Sequence, residues 1–140
     1  MSDETRIAIL MKSGTLADFT TLSMIVSGFV ASDFEVKIFC MGDAVYAMKK
    51  DQVGTDVMFT SNYPEFADNL TDALNARKVT PWWELMADLK DLGEVEIQVC
   101  ALVADVVHLE KEDFHELVDG IAGVANFAAD VDDADFALTI

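Results

Sequence analysis

The sequence predicts one three-layer α/β/α sandwich with a central, mainly parallel sheet of about five strands. Short apolar runs of strand length alternate with segments of helical periodicity from Arg6 to Ile140, and that alternation implies right-handed crossovers with helices on both sheet faces. The runs RIAILM, EVKIFC and EIQVC are largely apolar, as in strands covered on both sides. The 140 residues are 52% hydrophobic, with mean hydropathy +0.27. That is enough for a single domain over 1–140 and excludes disordered and low-complexity classes. No internal repeat or Gly/Ser linker divides the chain.

Arg6–Met11 reads as a buried strand ending in the turn Lys12-Ser13-Gly14. Thr15 with Asp18 fits a helix start, and Leu16, Phe19, Leu22, Val26 and Phe29 recur at helical spacing until Asp33. Glu35–Cys40 is a second strand, closed by Met41-Gly42, and Ala44–Lys50 a short helix with cations at its end. Residues 51–80 are the least periodic part, a candidate lid or binding loop with a short helix around Glu65–Leu74. Thr80-Pro81 reads as a cap followed by proline at the first helical position, leading a helix whose apolar side is Trp82, Leu85, Met86 and Leu89, up to Gly93. One of the adjacent Trp82 and Trp83 should be core and the other rim, since neighbours on a helix point about 100° apart. Glu96–Cys100 is the third strand and Ala101–Leu109 a helix. Leu117–Asp119 reads as a weak strand, Ile121–Val131 as a helix and Phe136–Ile140 as the last strand.

Charge narrows the function classes. With 26 acidic against 9 basic side chains, the formal charge is −17, so nucleic acid and anionic membrane are poor partners. The longest uncharged stretch, Phe19 to Ser32, is too short to span a bilayer, and a soluble, unprocessed chain is expected. Two cysteines sixty residues apart do not make a secreted disulfide scaffold. Free thiols in a reducing, cytoplasmic setting are the expectation.

Ligands of open α/β sheets bind beyond the carboxyl ends of the strands, here Lys12-Ser13-Gly14, Cys40-Met41-Gly42 and Cys100-Ala101. Cys100 ends a strand and opens a helix, where free N–H groups favour thiolate; the competing assignment is a small buried hydrophobe. Lys12, Ser13, Gly14 and Thr15 offer hydroxyls and N–H groups to an anion such as a flavin phosphate, or else form only a turn and a helix cap. His108 and His115 lack companion ligands at metal-binding spacing, so no metal site is expected. The acidic run Asp130–Asp135 reads as a solvated helix end. The neutral stripe Thr20, Ser23, Ser27 on the first helix lacks the charges of a solvated face. Contact with another subunit, or shielding by residues 51–80, would explain it.

Nearly the whole chain resembles the DsrE/DsrF-like sulfur-relay proteins, particularly soluble relatives of the DsrE2-type branch. The resemblance rests on Ser13-Gly14-Thr15 after the first strand, on Cys100 with Asp105 in the next helix, on the turn Lys111-Glu112-Asp113 and on the run AGVANF. It implies an α/β/α domain in a homo-oligomer, with sulfane sulfur held as a persulfide on Cys100 and exchanged with TusA-like carriers. Thiosulfate or polysulfide would be the small substrate, bound near Lys12–Thr15, Cys40 and Asp105, without a cofactor. That branch is often Met-rich after the cysteine, whereas this chain reads Cys-Ala-Leu-Val-Ala-Asp. If the second and third strands are neighbours, as the resemblance implies, a crevice shared by Cys40 and Cys100 is conceivable, but independent placement with Cys40 as plain core is the favoured reading. The readings left open beside a sulfurtransferase are a flavin- or small-anion-binding protein and a non-catalytic oligomeric scaffold.

Overall fold

The structure, a computed structural model, describes residues 4–54 and 64–140, the side chains of 64–68 excepted. Its elements are β1 (Arg6–Met11), α1 (Leu16–Ala31), β2 (Glu35–Cys40), α2 (Asp43–Ala47), α3 (Pro64–Ala76), α4 (Trp82–Leu92), β3 (Val95–Cys100), α5 (Ala101–Val106), β4 (Gly120–Ala122), α6 (Val124–Asp133) and β5 (Phe136–Thr139), with a 3₁₀ turn at Lys111–Asp113. All five strands are parallel, in the order β4-β3-β2-β1-β5. The fold is the three-layer α/β/α sandwich. Among the described residues no helix is long and apolar enough to cross a membrane.

Register decides which residues share a face. Ile9 pairs with Ile38 and Ile38 with Ile97, and these buried side chains meet α1 and α4, whose Phe19 and Trp82 rings lie 4.6 Å apart. Side chains alternate along a strand, so Phe39 turns to the other face, where it stacks on Phe127 of α6 at 5.1 Å. The β1–β2 and β2–β3 crossovers move in one direction along the sheet and the β4–β5 crossover in the other. Right-handedness therefore puts α1 and α4 opposite α6.

Several boundaries differ from the sequence reading for local reasons. Thr80 does not cap α4: Pro81 occupies the N-cap, and no side chain caps the helix. α5 stops at Val106 because His108 takes a left-handed φ of 58° and the Leu109 N–H returns to the Ala104 carbonyl at 2.8 Å. The fourth strand begins at Gly120, after Leu117–Asp119, because the Asp119 carboxylate accepts the Ile97 N–H at 2.7 Å and takes the place of a ladder carbonyl. That shift starts α6 at Val124 and not at Ile121. The lid expectation for residues 51–80 falls partly on 55–63, outside the described residues; the helix inside that stretch runs Pro64–Ala76.

The stripe on α1 is covered within the chain. Ser23 is 1% and Thr20 8% exposed, since α1 packs along α4 and touches α3. Ser27 is only half-buried. Shielding by the same chain therefore explains the missing charges, and α4 supplies most of it, not only residues 51–80.

Candidate functional site

The carboxyl ends of β1, β2 and β3 carry the residues singled out from the sequence. After β1, Thr15 caps α1: its Oγ1 accepts the Asp18 N–H at 3.1 Å. Ser13 donates its hydroxyl to the Asp18 carboxylate and accepts the Thr15 N–H at 3.3 Å. The Lys12 and Ser13 N–H groups both donate to the Ile140 carbonyl, at 2.8 and 3.3 Å. The Lys12, Ser13 and Thr15 N–H groups and the Ser13 hydroxyl thus have internal acceptors, and a carboxylate already sits beside the hydroxyls. Gly42, with φ 55°, lets the chain turn beside this loop, its position 3.7 Å from the Lys12 carbonyl once a Cβ is imagined there.

Cys40 and Cys100 are both free and buried, 1% and 0% exposed. Strands β2 and β3 are neighbours as expected, yet the cysteines do not share a crevice. Cys40 pairs in register with Val99, so Cys100, one residue on, points to the opposite sheet face. Cys40 faces α1 and α4, and burial alone pushes its thiol from 9.0 up to about 12. It is a neutral core side chain. Cys100 lies on the face of Phe39 and Gln98, in register with Ala122, and is the N-cap residue of α5.

Burial of both thiols follows from what packs around them. Ala44, Val45, Ala47 and Met48, in and just after α2, belong to one core with Phe114, Leu117 and Val118 from the chain before β4. A bridge between Lys49 and Phe114, with the His115 N–H on the Met48 carbonyl at 2.9 Å, clamps the two segments together. His115 Nδ1 accepts the Leu117 N–H at 3.1 Å, and its pKa is lowered, by desolvation against the opposing charge of Glu116. It is a structural acceptor. Asp105 is exposed toward the end of α5, away from the fully buried thiol it follows by five residues. His108 is exposed as well.

The helix that Cys100 leads is weakly anchored. α5 is six residues long, Ala104 is its one buried residue, and Leu102 and Val106 are 67% and 66% exposed. Helices this short are not stable by themselves, so local opening at α5 requires little surface to be lost.

Sequence reading missed a cluster at the other end of the sheet. A cleft of about 160 Å³ between β1, β2 and α6 is lined by Arg6, Glu35, Lys37, Asp130 and Asp133. Its charges are paired: Lys37 with Asp130 at 3.3 Å, Arg6 with Glu35 at 3.3 Å and with Asp133 at 3.7 Å. Desolvation lowers the Lys37 pKa, but the bond to and charge of Asp130, aided by Glu96 and Glu35, prevail and raise it. Glu4, Glu35 and Glu94 bring carboxylate oxygens within 4.8 Å of one another nearby. These pairings join strand beginnings to α6, a spatial relation that no spacing along the chain encodes.

No protein-family model matches the chain, and no curated protein matches it. Among solved structures it is similar to a protein of unknown function, MTH1491 from Methanobacterium thermoautotrophicum, with a TM-score of 0.59 at 12% identity, covering 96% of this chain and 99% of that one. This likeness is one of fold.

Proposed function

We propose that the chain is a sulfur carrier, a cytoplasmic sulfurtransferase in which Cys100 holds sulfane sulfur as a persulfide. The observation that carries the reading is the place of Cys100, at the carboxyl end of a central strand and at the N-cap of the short, shallowly anchored helix α5. Ligands of this architecture bind at that edge. Opening of α5 would admit a small sulfur compound. The Cys100 thiolate attacks the outer sulfur of thiosulfate, an S–S bond forms and sulfite leaves; with polysulfide the leaving group is the chain shortened by one sulfur. An acceptor thiolate, as on a TusA-like carrier, then attacks the outer persulfide sulfur and the Cys100 thiolate leaves. Several copies would form the working assembly. Its interface is not the Thr20–Ser23 stripe, which α4 covers, and the apolar side chains exposed at Leu102, Ile121 and Val124 are open to such contact.

Full burial of Cys100 favours a second reading, a scaffold in which this thiol is packing alone. The flavin or anion reading at Lys12–Thr15 gains nothing from hydroxyls already bound to Asp18 and Thr15. Intact mass after incubation with thiosulfate, tetrathionate or polysulfide separates them. The carrier gains one or two sulfur masses, Cys100→Ser gains none and Cys40→Ser keeps most of the load. No loading of the wild type supports the scaffold, and equal loading of Cys100→Ser removes the assignment.

A further inference from the structure

On the α1 and α4 side of the sheet, opposite the face that Cys100 points to, a cleft of about 70 Å³ opens between α1, α3 and the start of α4. Leu16, Thr20, Leu74, Val79, Trp82 and Trp83 form most of its wall. None is charged, and three features make this more than an apolar dent.

First, Trp82 is 3% exposed and its indole Nε1 is buried without a hydrogen-bond partner among the described residues. A buried N–H left unpaired is costly and uncommon. Its ring is held between Phe19 at 4.6 Å and the perpendicular Trp83 at 6.0 Å. The Thr20 hydroxyl in the same wall is committed to the Leu16 carbonyl at 2.8 Å.

Second, the cleft sits at the N-terminus of α4, an eleven-residue helix whose first turn no side chain caps. Its leading N–H groups are a further set of donors. Third, α4 runs against the strands and begins at their carboxyl ends, the edge at which α/β sheets take ligands. Donors without acceptors, an apolar wall and the binding edge coincide.

We propose that this cleft binds a small uncharged molecule with a compact apolar body and one hydrogen-bond acceptor, a carbonyl compound, whose oxygen accepts from the Trp82 indole N–H. An anion is selected against: the chain carries −17, Glu84 occupies the first turn of α4, and no Lys or Arg lines the wall. The site is independent of Cys100 and of persulfide chemistry.

The test uses the full chain labelled with ¹⁵N, cyclopentanone as probe and methylenecyclopentane as its isostere, in which a CH₂ replaces the oxygen. Trp83→Phe assigns the two indole N–H signals. The Trp82 signal should move downfield and saturate with the ketone, and the hydrocarbon should bind about five- to tenfold more weakly, the usual worth of one hydrogen bond. Trp82→Phe keeps an aromatic ring against Phe19 without the donor and should reduce ketone affinity to that of the hydrocarbon. The proposal is overturned if the ketone gives no saturable shift, if both probes bind alike, or if the Trp82 N–H of the free protein already shows the shift and slow exchange of a hydrogen-bonded indole. The comparison of the two probes on the wild type needs no variant, so a Trp82→Phe chain that fails to fold leaves it decisive. Sulfur loading of Cys100 should be unaffected by either probe.

Discussion

Cys40 and Cys100 end neighbouring strands, yet one residue of register separates their fates. Cys40, in step with Val99, is turned toward α1 and α4 and surrounded by core. Desolvation holds its thiol neutral up to about pH 12 against an ordinary 9.0, which gives stability a definite pH dependence. A pKa raised on folding means that the folded state binds the proton more tightly. The contribution is complete below 9 and is lost as pH rises from 9 toward 12. Urea midpoints should therefore fall across that interval, and Cys40→Ala should flatten the decline even though it lowers stability overall. A slope unchanged by the substitution would show that Cys40 is not its source. Cys100 is as deeply buried but leads a six-residue helix with one buried side chain, so thiol-specific alkylation of the native chain should reach Cys100 well before Cys40.

At the scale of elements, α1 shows how a polar side chain can be deep in a core. Ser23 donates to the Thr20 carbonyl at 2.9 Å, inside its own helix, so burial beneath α4 leaves its hydroxyl satisfied. Ser23→Glu would drive a carboxylate into that buried contact. We expect a loss of about 3 kcal/mol or more in unfolding free energy, read by denaturant titration, whereas Ser27→Glu, half-buried, should stay within roughly 1 kcal/mol. Equal effects at both positions would show that α4 does not seal α1 as described. Helix ends follow a related logic. Asp33 and His108, with φ of 60° and 58°, and Lys78, with φ of 54°, are left-handed without glycine. Asp33 ends the periodicity of α1 in the sequence itself, whereas His108 interrupts no pattern, so periodicity carries the reading of α5 three residues past its end.

For the molecule as a whole, charge opposes compaction. Ion pairs gather at the beginnings of β1 and β2 and their meeting with α6, and at Lys90 with Asp119, but nine cations cannot balance 26 carboxylates. Self-repulsion of this kind is screened as the Debye length falls from about 10 Å at 0.1 M salt to about 3 Å at 1 M. Thermal midpoints should accordingly rise with sodium chloride, by roughly 3–5 °C for each 1 kcal/mol of repulsion relieved in a chain of this size. A midpoint that falls with salt would mean that the ion pairs outweigh the repulsion.

By itself the sequence determined the layers, the strand positions β1, β2 and β3 and the placing of both cysteines at the carboxyl edge. Each of these depends on hydrophobic periodicity and turn chemistry within a few neighbouring residues. Tertiary structure decided the rest. That Cys40 and Cys100 face opposite sides follows from the pairing of Cys40 with Val99, a contact between strands. That the Ser13 hydroxyl and the Lys12 and Ser13 N–H groups are occupied depends on where the Asp18 carboxylate and the Ile140 carbonyl arrive. The cleft with the unpartnered Trp82 indole exists only because α1, α3 and α4 converge. Local patterns specify elements through short-range sterics and burial period, while a site is a set of distances between elements, and those are set by register, crossover direction and packing.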